Sequence, residues 1–349
     1  MPSGTADLQV DGARDVLARL SATLYDFTPN DAKEVIGQVF APDALLRLCH
    51  PLTVGNDGEA EGGAGYWERA IGPLAFAMPD LERRPFIAMA GRTDQGDVWV
   101  GHAGTYLGTF SNPYLEIPPT GHLAHMRFHE FFRVVEGRVV EIQMIWDLPE
   151  LMHQAGIWPL SPSLGREWCV PGPATQDGLL SGPHDPAIAS KSCQRIVAML
   201  EDMIRHPSQG GPEVMEMERF WHPHMNWYGP FGIGTGRGIE GFRQWHQIPF
   251  LAAMPDRGQY PDRIEHHFFG AKNYVAVTGW PNMAQTITGD GWLGIAPAGQ
   301  EVTLRSLDFW RLEGEMIREN WVLVDLLDLY HQIGVDVLAR MRQLAGGHA

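Results

Sequence analysis

Two features of this chain combine residue types and spacings suited to chemistry. The first is "FWHPHMNWYGPFGIG", beginning at Phe220. With the two-residue period of a strand, His222, His224, Asn226 and Tyr228 share one face, and Trp221, Pro223, Met225 and Trp227 share the other. The polar face suits a pocket wall that orients an organic ligand. A zinc site built from His222 and His224 would need a third ligand such as His246, His266 or Asp325. The second feature is a pair of carboxylates at matched spacing. Glu130 lies 17 residues before Asp147, and Asp308 lies 17 before Asp325. Across a hairpin, each pair could form a coupled acid pair with split pKa values. The alternative is an outward charge on the sheet, in which case alternation turns His129 rather than Glu130 to the opposite face.

The matched spacing reflects a duplication. Gly121, Asp147, His153, Gln154 and Gly156 recur 178 positions later as Gly299, Asp325, His331, Gln332 and Gly334. "AMPD" recurs at 77–80 and 253–256. The duplication predicts a first domain over 1–160 and a second over 187–349. Between them, 161–186 is rich in Pro and Gly and reads as a linker. Each half is expected to open with helices and to end in antiparallel strands, at about 97–110, 122–135 and 139–147, then 273–288, 300–312 and 316–325. Helices followed by strands indicate an α+β fold. The polar face of the Phe220 stretch belongs to the second copy alone, because the matching first-half strand carries Ala41, Asp43, Leu45 and Arg47.

These residues resemble the SnoaL-like polyketide cyclases of the nuclear transport factor 2-like superfamily, which are cone-shaped α+β folds. The resemblance is carried by Pro297-Ala298-Gly299, Glu313-Gly314, Trp321 through Asp325, and Gln332-Ile333-Gly334. In the first half it is carried by Pro119-Thr120-Gly121, Glu136-Gly137, Asp147 and Gln154-Ala155-Gly156, with the Trp displaced to Trp146. It implies that Asp325 and Asp147 point into the cones as acid/base residues, serving cofactor-independent chemistry at carbon next to a carbonyl. A strand-end Asp can instead cap the following helix. Substrate-binding candidates are His222, His224, Asn226, Tyr228, Trp280, Asp308 and Trp321, with His50, His102 and His129 in the first half. A non-catalytic module for a small hydrophobic ligand is the other reading. An epoxide hydrolase-like site lacks a clear Asp-Arg-Asp arrangement. Superfamily members usually pair, so the fused copies are expected to form an intrachain pseudo-dimer, with further self-association open.

Bulk properties narrow the partners. A hydrophobic content of 44% and a charged content of 19% suit a folded chain. The net charge of −16 argues against nucleic acid and anionic membrane. Three scattered cysteines form neither a disulfide framework nor a zinc ribbon, and the resemblance implies chemistry without a metal or other cofactor. The opening residues show no signal peptide, and no apolar run reaches membrane-spanning length, so a cytoplasmic location is expected. Twelve Trp and fifteen Met exceed the needs of packing and suit pockets for large apolar ligands.

Overall fold

A computed structural model describes residues 4–53 and 58–346. The first domain begins with α1 (Gly4–Tyr25) and α2 (Pro29–Val39), followed by β1 (Phe40–Leu48), β2 (Glu59–Ala60) and α3 (Gly62–Tyr66). A π-helical turn (Trp67–Ile71) joins α3 to α4 (Gly72–Ala77). Four strands and a helix complete the order: β3 (Glu82–Arg92), β4 (Val98–Thr109), β5 (Leu123–Val135), β6 (Arg138–Trp146) and α5 (Leu148–Gln154). Local chemistry sets the starts. Thr28 accepts the Asp31 backbone N–H at 3.3 Å and Pro29 opens α2, a capping arrangement that satisfies an otherwise orphaned donor.

The second domain repeats this order. It comprises α6 (Pro186–Met203), α7 (Met217–Phe220), β7 (Trp221–Tyr228), β8 (Thr235–Arg237) and α8 (Gly238–Phe242). A second π-turn (Arg243–Gln247) leads into α9 (Ile248–Ala253). The strands β9 (His267–Ala271), β10 (Tyr274–Thr278), β11 (Met283–Ile287), β12 (Gln300–Leu304), β13 (Ser306–Glu313) and β14 (Met316–Val324) follow, then α10 (Leu326–Gln332) and α11 (Val337–Gly346). The two six-stranded sheets have the same order, β2-β1-β6-β5-β4-β3 and β8-β7-β14-β13-β10-β9. In each, the first long strand runs parallel to the last, and the remaining pairs are antiparallel. The protein is therefore two tandem α+β domains of one fold.

Register fixes the correspondence residue by residue. Phe40 pairs with Val139 and Trp221 with Ile317, while Leu46 pairs with Ile142 and Trp227 with Asn320. The expected second-half strands 273–288 and 300–312 are each broken in two, at 279–282 and at Arg305. Pro281 explains the first break, since proline has no N–H for the ladder. The detached halves, β11 and β12, form their own hairpin.

The compact units do not follow the chain strictly. Among the described residues, one gathers those up to Pro159, 172–185 and those from Asp336 onward; the other gathers 160–171 and 186–335. Thus α11, which follows the whole second domain in sequence, belongs to the first unit, where Arg342 pairs with Glu116 at 2.8 Å. No helix among the described residues is long and apolar enough to cross a membrane.

Candidate active site

The inner face of β7 is the aromatic one. Trp221, Met225 and Trp227 are buried, whereas His222 and Asn226 are half-buried and His224 is exposed. Alternation along the strand was legible, but His222, His224 and Asn226 of the face expected to bind ligand turn toward solvent, and of that face Tyr228 alone is buried. There the His222 and His224 rings lie 5.7 Å apart, Asn226 accepts from Arg237 at 3.0 Å, and Tyr228 donates to Glu319 at 3.1 Å. Burial and the neighbouring Glu319 raise the Tyr228 hydroxyl above its ordinary range. Indole rings release more free energy on burial than imidazoles, and that decides which face turns in.

Trp221 and Trp227 are walls of a pocket in the second domain that holds ≈ 650 Å³ of empty space, its open mouth included. Trp292 and Trp310 complete its aromatic lining, with Phe242 and Phe250. Polar groups enter at six places: His246, Gln247, Arg257, Ser306, Asp308 and Asn320. His246 and Gln247 come from the π-turn. Its wider coil inserts an extra residue and re-aims these side chains, as π-turns at functional sites often do. The His246 ring stacks on Trp227 at 4.1 Å, and burial drives its pKa down to about 3, so the imidazole is neutral at neutral pH.

Asp308 stands on β13, where alternation places Ser306, Asp308 and Trp310 together on the pocket face. The Ser306 hydroxyl donates to its carboxyl, and no cation among the described residues lies within ion-pair distance. Burial raises its pKa to about 7; the Ser306 bond and the Arg257 charge pull the other way without cancelling that effect. The carboxyl sits deep in the protein yet keeps one face open to the pocket. Several donors around it are buried without partners: the indole N–H groups of Trp221 and Trp310, and the amide of Gln247, which is 1% exposed. Orphaned buried donors are costly, and a ligand acceptor would satisfy them.

Asp325 and Asp147, expected as acid/base residues inside the cones, occupy the N-caps of α10 and α5. Asp325 accepts the Asp328 N–H at 3.2 Å and lies 3.5 Å from Arg305, outside the pocket lining. Asp147 lies 3.3 Å from Arg127. The repeated Gln closes the same latch in both copies. Gln154 bonds both backbone groups of His125, and Gln332 bonds both of Thr303. The landmarks that the two halves share therefore tie the last helix to the sheet. The two readings of the 17-residue spacing both fail. The acids do not face each other, because Asp308 pairs with Val322 and Glu130 with Met144. Neither is an outward charge, because Glu130 is fully buried and Asp308 lines the pocket.

The remaining candidates sit elsewhere. Trp280 packs under the Arg305 guanidinium at 4.6 Å. Trp321 is buried on the other face of β14 and donates to the Pro171 carbonyl at 2.9 Å. His50 is half-buried in the turn after β1, and His129 is fully buried. His102 is buried in the first domain beside Arg83, at 3.2 Å, and burial lowers its pKa well below the ordinary imidazole value, with Arg83 adding to the effect. Sequence reasoning missed His246 as a pocket residue and missed Gln247 and Arg257 altogether. The signal available was their contrast with Ala70, Ile71 and Leu81, their counterparts 176 positions earlier. Among the described residues, no group of three or more His, Cys, Asp and Glu side chains could hold a metal ion.

Sheet order, helix placement and repeated landmarks define nuclear transport factor 2-like domains in tandem. The sequence pattern of the SnoaL-like polyketide cyclases matches residues 40–155 and again 213–333, and the chain belongs to that family. Among solved structures, the chain is similar to IdmH, a putative polyketide cyclase from Streptomyces antibioticus, at 21% identity over 42% of this chain and 99% of that one, with a TM-score of 0.34. It is similar to AclR, a putative hydroxylase from Streptomyces galilaeus, at 20% identity over 42% of this chain and 97% of that one, with a TM-score of 0.34. A putative polyketide cyclase from Acidithiobacillus ferrooxidans is 18% identical over 45% of this chain and 98% of that one, with a TM-score of 0.33. No curated protein matches the chain.

Proposed function

We propose that the second domain catalyses proton transfer at carbon next to a carbonyl, of the aldol ring-closing type, on a small hydrophobic or polycyclic substrate. Asp308 is the acid/base. The observation that carries this reading is a carboxyl held in an aromatic pocket with its pKa raised to about 7 and no ion-pair partner. Such a group is populated in both protonation states near neutral pH, which a general acid/base requires. The carboxylate takes the proton from the carbon acid. Negative charge then develops on the carbonyl oxygen, where the Trp221 and Trp310 N–H groups and the Gln247 amide are available donors. The enolate carbon attacks a second carbonyl, and the Asp308 proton passes to the new alkoxide. No step requires a cofactor.

The test is Asp308→Asn, which preserves shape and removes the base. Turnover of an aromatic β-keto ester, or deuterium exchange at its acidic carbon followed by NMR, is expected to fall about a hundredfold or more, with binding retained. Unchanged turnover would remove Asp308 from the chemistry. Binding without turnover in the unaltered protein would leave a hydrophobic ligand-binding module.

A further inference from the structure

Arg257 follows the second "AMPD" turn. Asp256 anchors that turn by accepting the Thr286 N–H at 2.9 Å, as Asp80 accepts the Thr109 N–H in the first domain. The residue after Asp80 is Leu81, buried in the core. In the second domain the same position carries a guanidinium. Among the described residues, Arg257 makes no hydrogen bond and no ion pair; its recorded neighbour is the Phe250 ring, 5.7 Å away. The fully buried arginines of both domains do otherwise, while Arg257 itself is half-buried. Arg83 pairs with Glu130, Arg127 with Asp147, Arg305 with Asp325 and Asp328, and Arg311 with Glu319. A desolvated guanidinium without an ion-pair partner is costly; burial lowers the Arg257 pKa, and the charge of Asp308, beyond pairing distance, offsets that only in part.

Arg257 also lines two cavities at once. One is the aromatic pocket; the other is an open chamber with ≈ 470 Å³ of empty space, its mouth included, lined by Tyr260, His266, Asn282 and Gln285, among others. The Gln285 amide is 1% exposed and its oxygen has no partner; half a turn about its last bond would present N–H groups instead. We propose that Arg257 and this chamber form a subsite for the carboxylate of a planar aromatic acid whose ring system occupies the tryptophan-lined pocket. This deepens the proposed function and rests on the same pocket. A planar guanidinium matches a carboxylate with two parallel hydrogen bonds. A phosphate dianion fits less well. Arg257 is the one permanent cation among the lining residues, and burial keeps His246 and His266 neutral.

The probes are 2-naphthoate, 2-naphthamide and 2-naphthyl phosphate, titrated by quenching of tryptophan fluorescence and by calorimetry. Naphthoate should bind the unaltered protein about tenfold or more tighter than the amide and tighter than the phosphate. Arg257→Gln should remove that preference, weakening the acid about tenfold and the amide less than about twofold. Arg257→Lys should restore part of it, with both variants folded by thermal melting. Equal binding of acid and amide, a preference that survives Arg257→Gln, tightest binding of the phosphate, or no binding of any probe at millimolar concentration would each overturn the inference. A clear acid preference together with undiminished turnover in Asp308→Asn would leave the subsite standing and remove only the acid/base assignment.

Discussion

The two cones show how one fold can be filled or opened. At the position of Asp308 the first domain has Glu130, also on the inner face of its strand. Glu130 is fully buried and fully committed. Arg83 approaches at 2.6 Å, and Tyr106 and the Trp146 indole each donate at 2.9 Å. Arg83 lies over Phe128 at 4.3 Å and donates to Ser21 at 2.9 Å. Burial works against the Arg83 charge, but Glu130 beside it keeps its pKa raised. In the second domain three of the bulky residues shrink: Phe128 becomes Ser306, Met144 becomes Val322 and Trp146 becomes Val324. Four apolar residues become polar: Ala70, Ile71, Leu81 and Ile142 give way to His246, Gln247, Arg257 and Asn320. The shared residues hold the architecture, and the substituted ones make the pocket.

The sharpest way to break this comparison is to exchange charge for amide at the two matched acids. Glu130→Gln leaves Arg83 buried beside a neutral group and should cost about 3–5 kcal/mol of stability, read as a denaturant midpoint. Its effect on turnover should be confined to the loss of folded protein. Asp308→Asn should do the reverse. The folded state holds the Asp308 proton up to about pH 7, whereas an ordinary Asp releases it near 3.8. The ionised form therefore weakens the fold, starting above about pH 4 and in full above pH 7. The asparagine variant should accordingly gain melting temperature, and more at pH 8 than at pH 5. If both variants lose stability equally, the second cone is as tightly committed as the first.

Much of the architecture was legible because duplication preserves spacing. Two copies, an α+β order and the first-half strands β1, β4, β5 and β6 follow from repeated landmarks and period-two runs, whereas β2 and β3 were not marked. The site was less so, for three physical reasons. Alternation assigned Trp221 and His222 to opposite faces but does not say which face turns inward. A π-turn breaks the 3.6-residue period, so nothing in the local pattern aimed His246 and Gln247 at the pocket. The shared Asp147 and Asp325 drew notice by their repetition, yet repetition marks what the fold requires in both copies. Asp308 drew notice through its spacing from Asp325, although the two do not face each other.

Smaller effects sharpen the same contrast. Asp325→Asn removes an ion pair at the latch and leaves the pocket intact, so turnover should stay within about threefold of the unaltered protein; a hundredfold loss would return the acid/base role to Asp325. The smallest expected effect is a pH dependence confined to the first domain. His125 lies 3.1 Å from Glu150, whose hydrogen bond raises the imidazole pKa. Its stabilisation is complete below the ordinary value of 6.5 and is lost as pH rises through the raised one. His125→Gln should therefore lower the melting temperature at pH 5.5 and change it little at pH 9. The second domain has Thr303 at that place and should show no such limb.

The membership of α11 in the first unit bears on how the protein is made. A nascent chain ordinarily completes its first domain while the next is still being translated. Here the helix that finishes the first unit is encoded after the entire second one. At ordinary elongation rates it follows Pro159 by on the order of ten seconds or more. During that interval the surface that receives Val337 and Met341 is open, and the second domain has time to fold to completion ahead of the first.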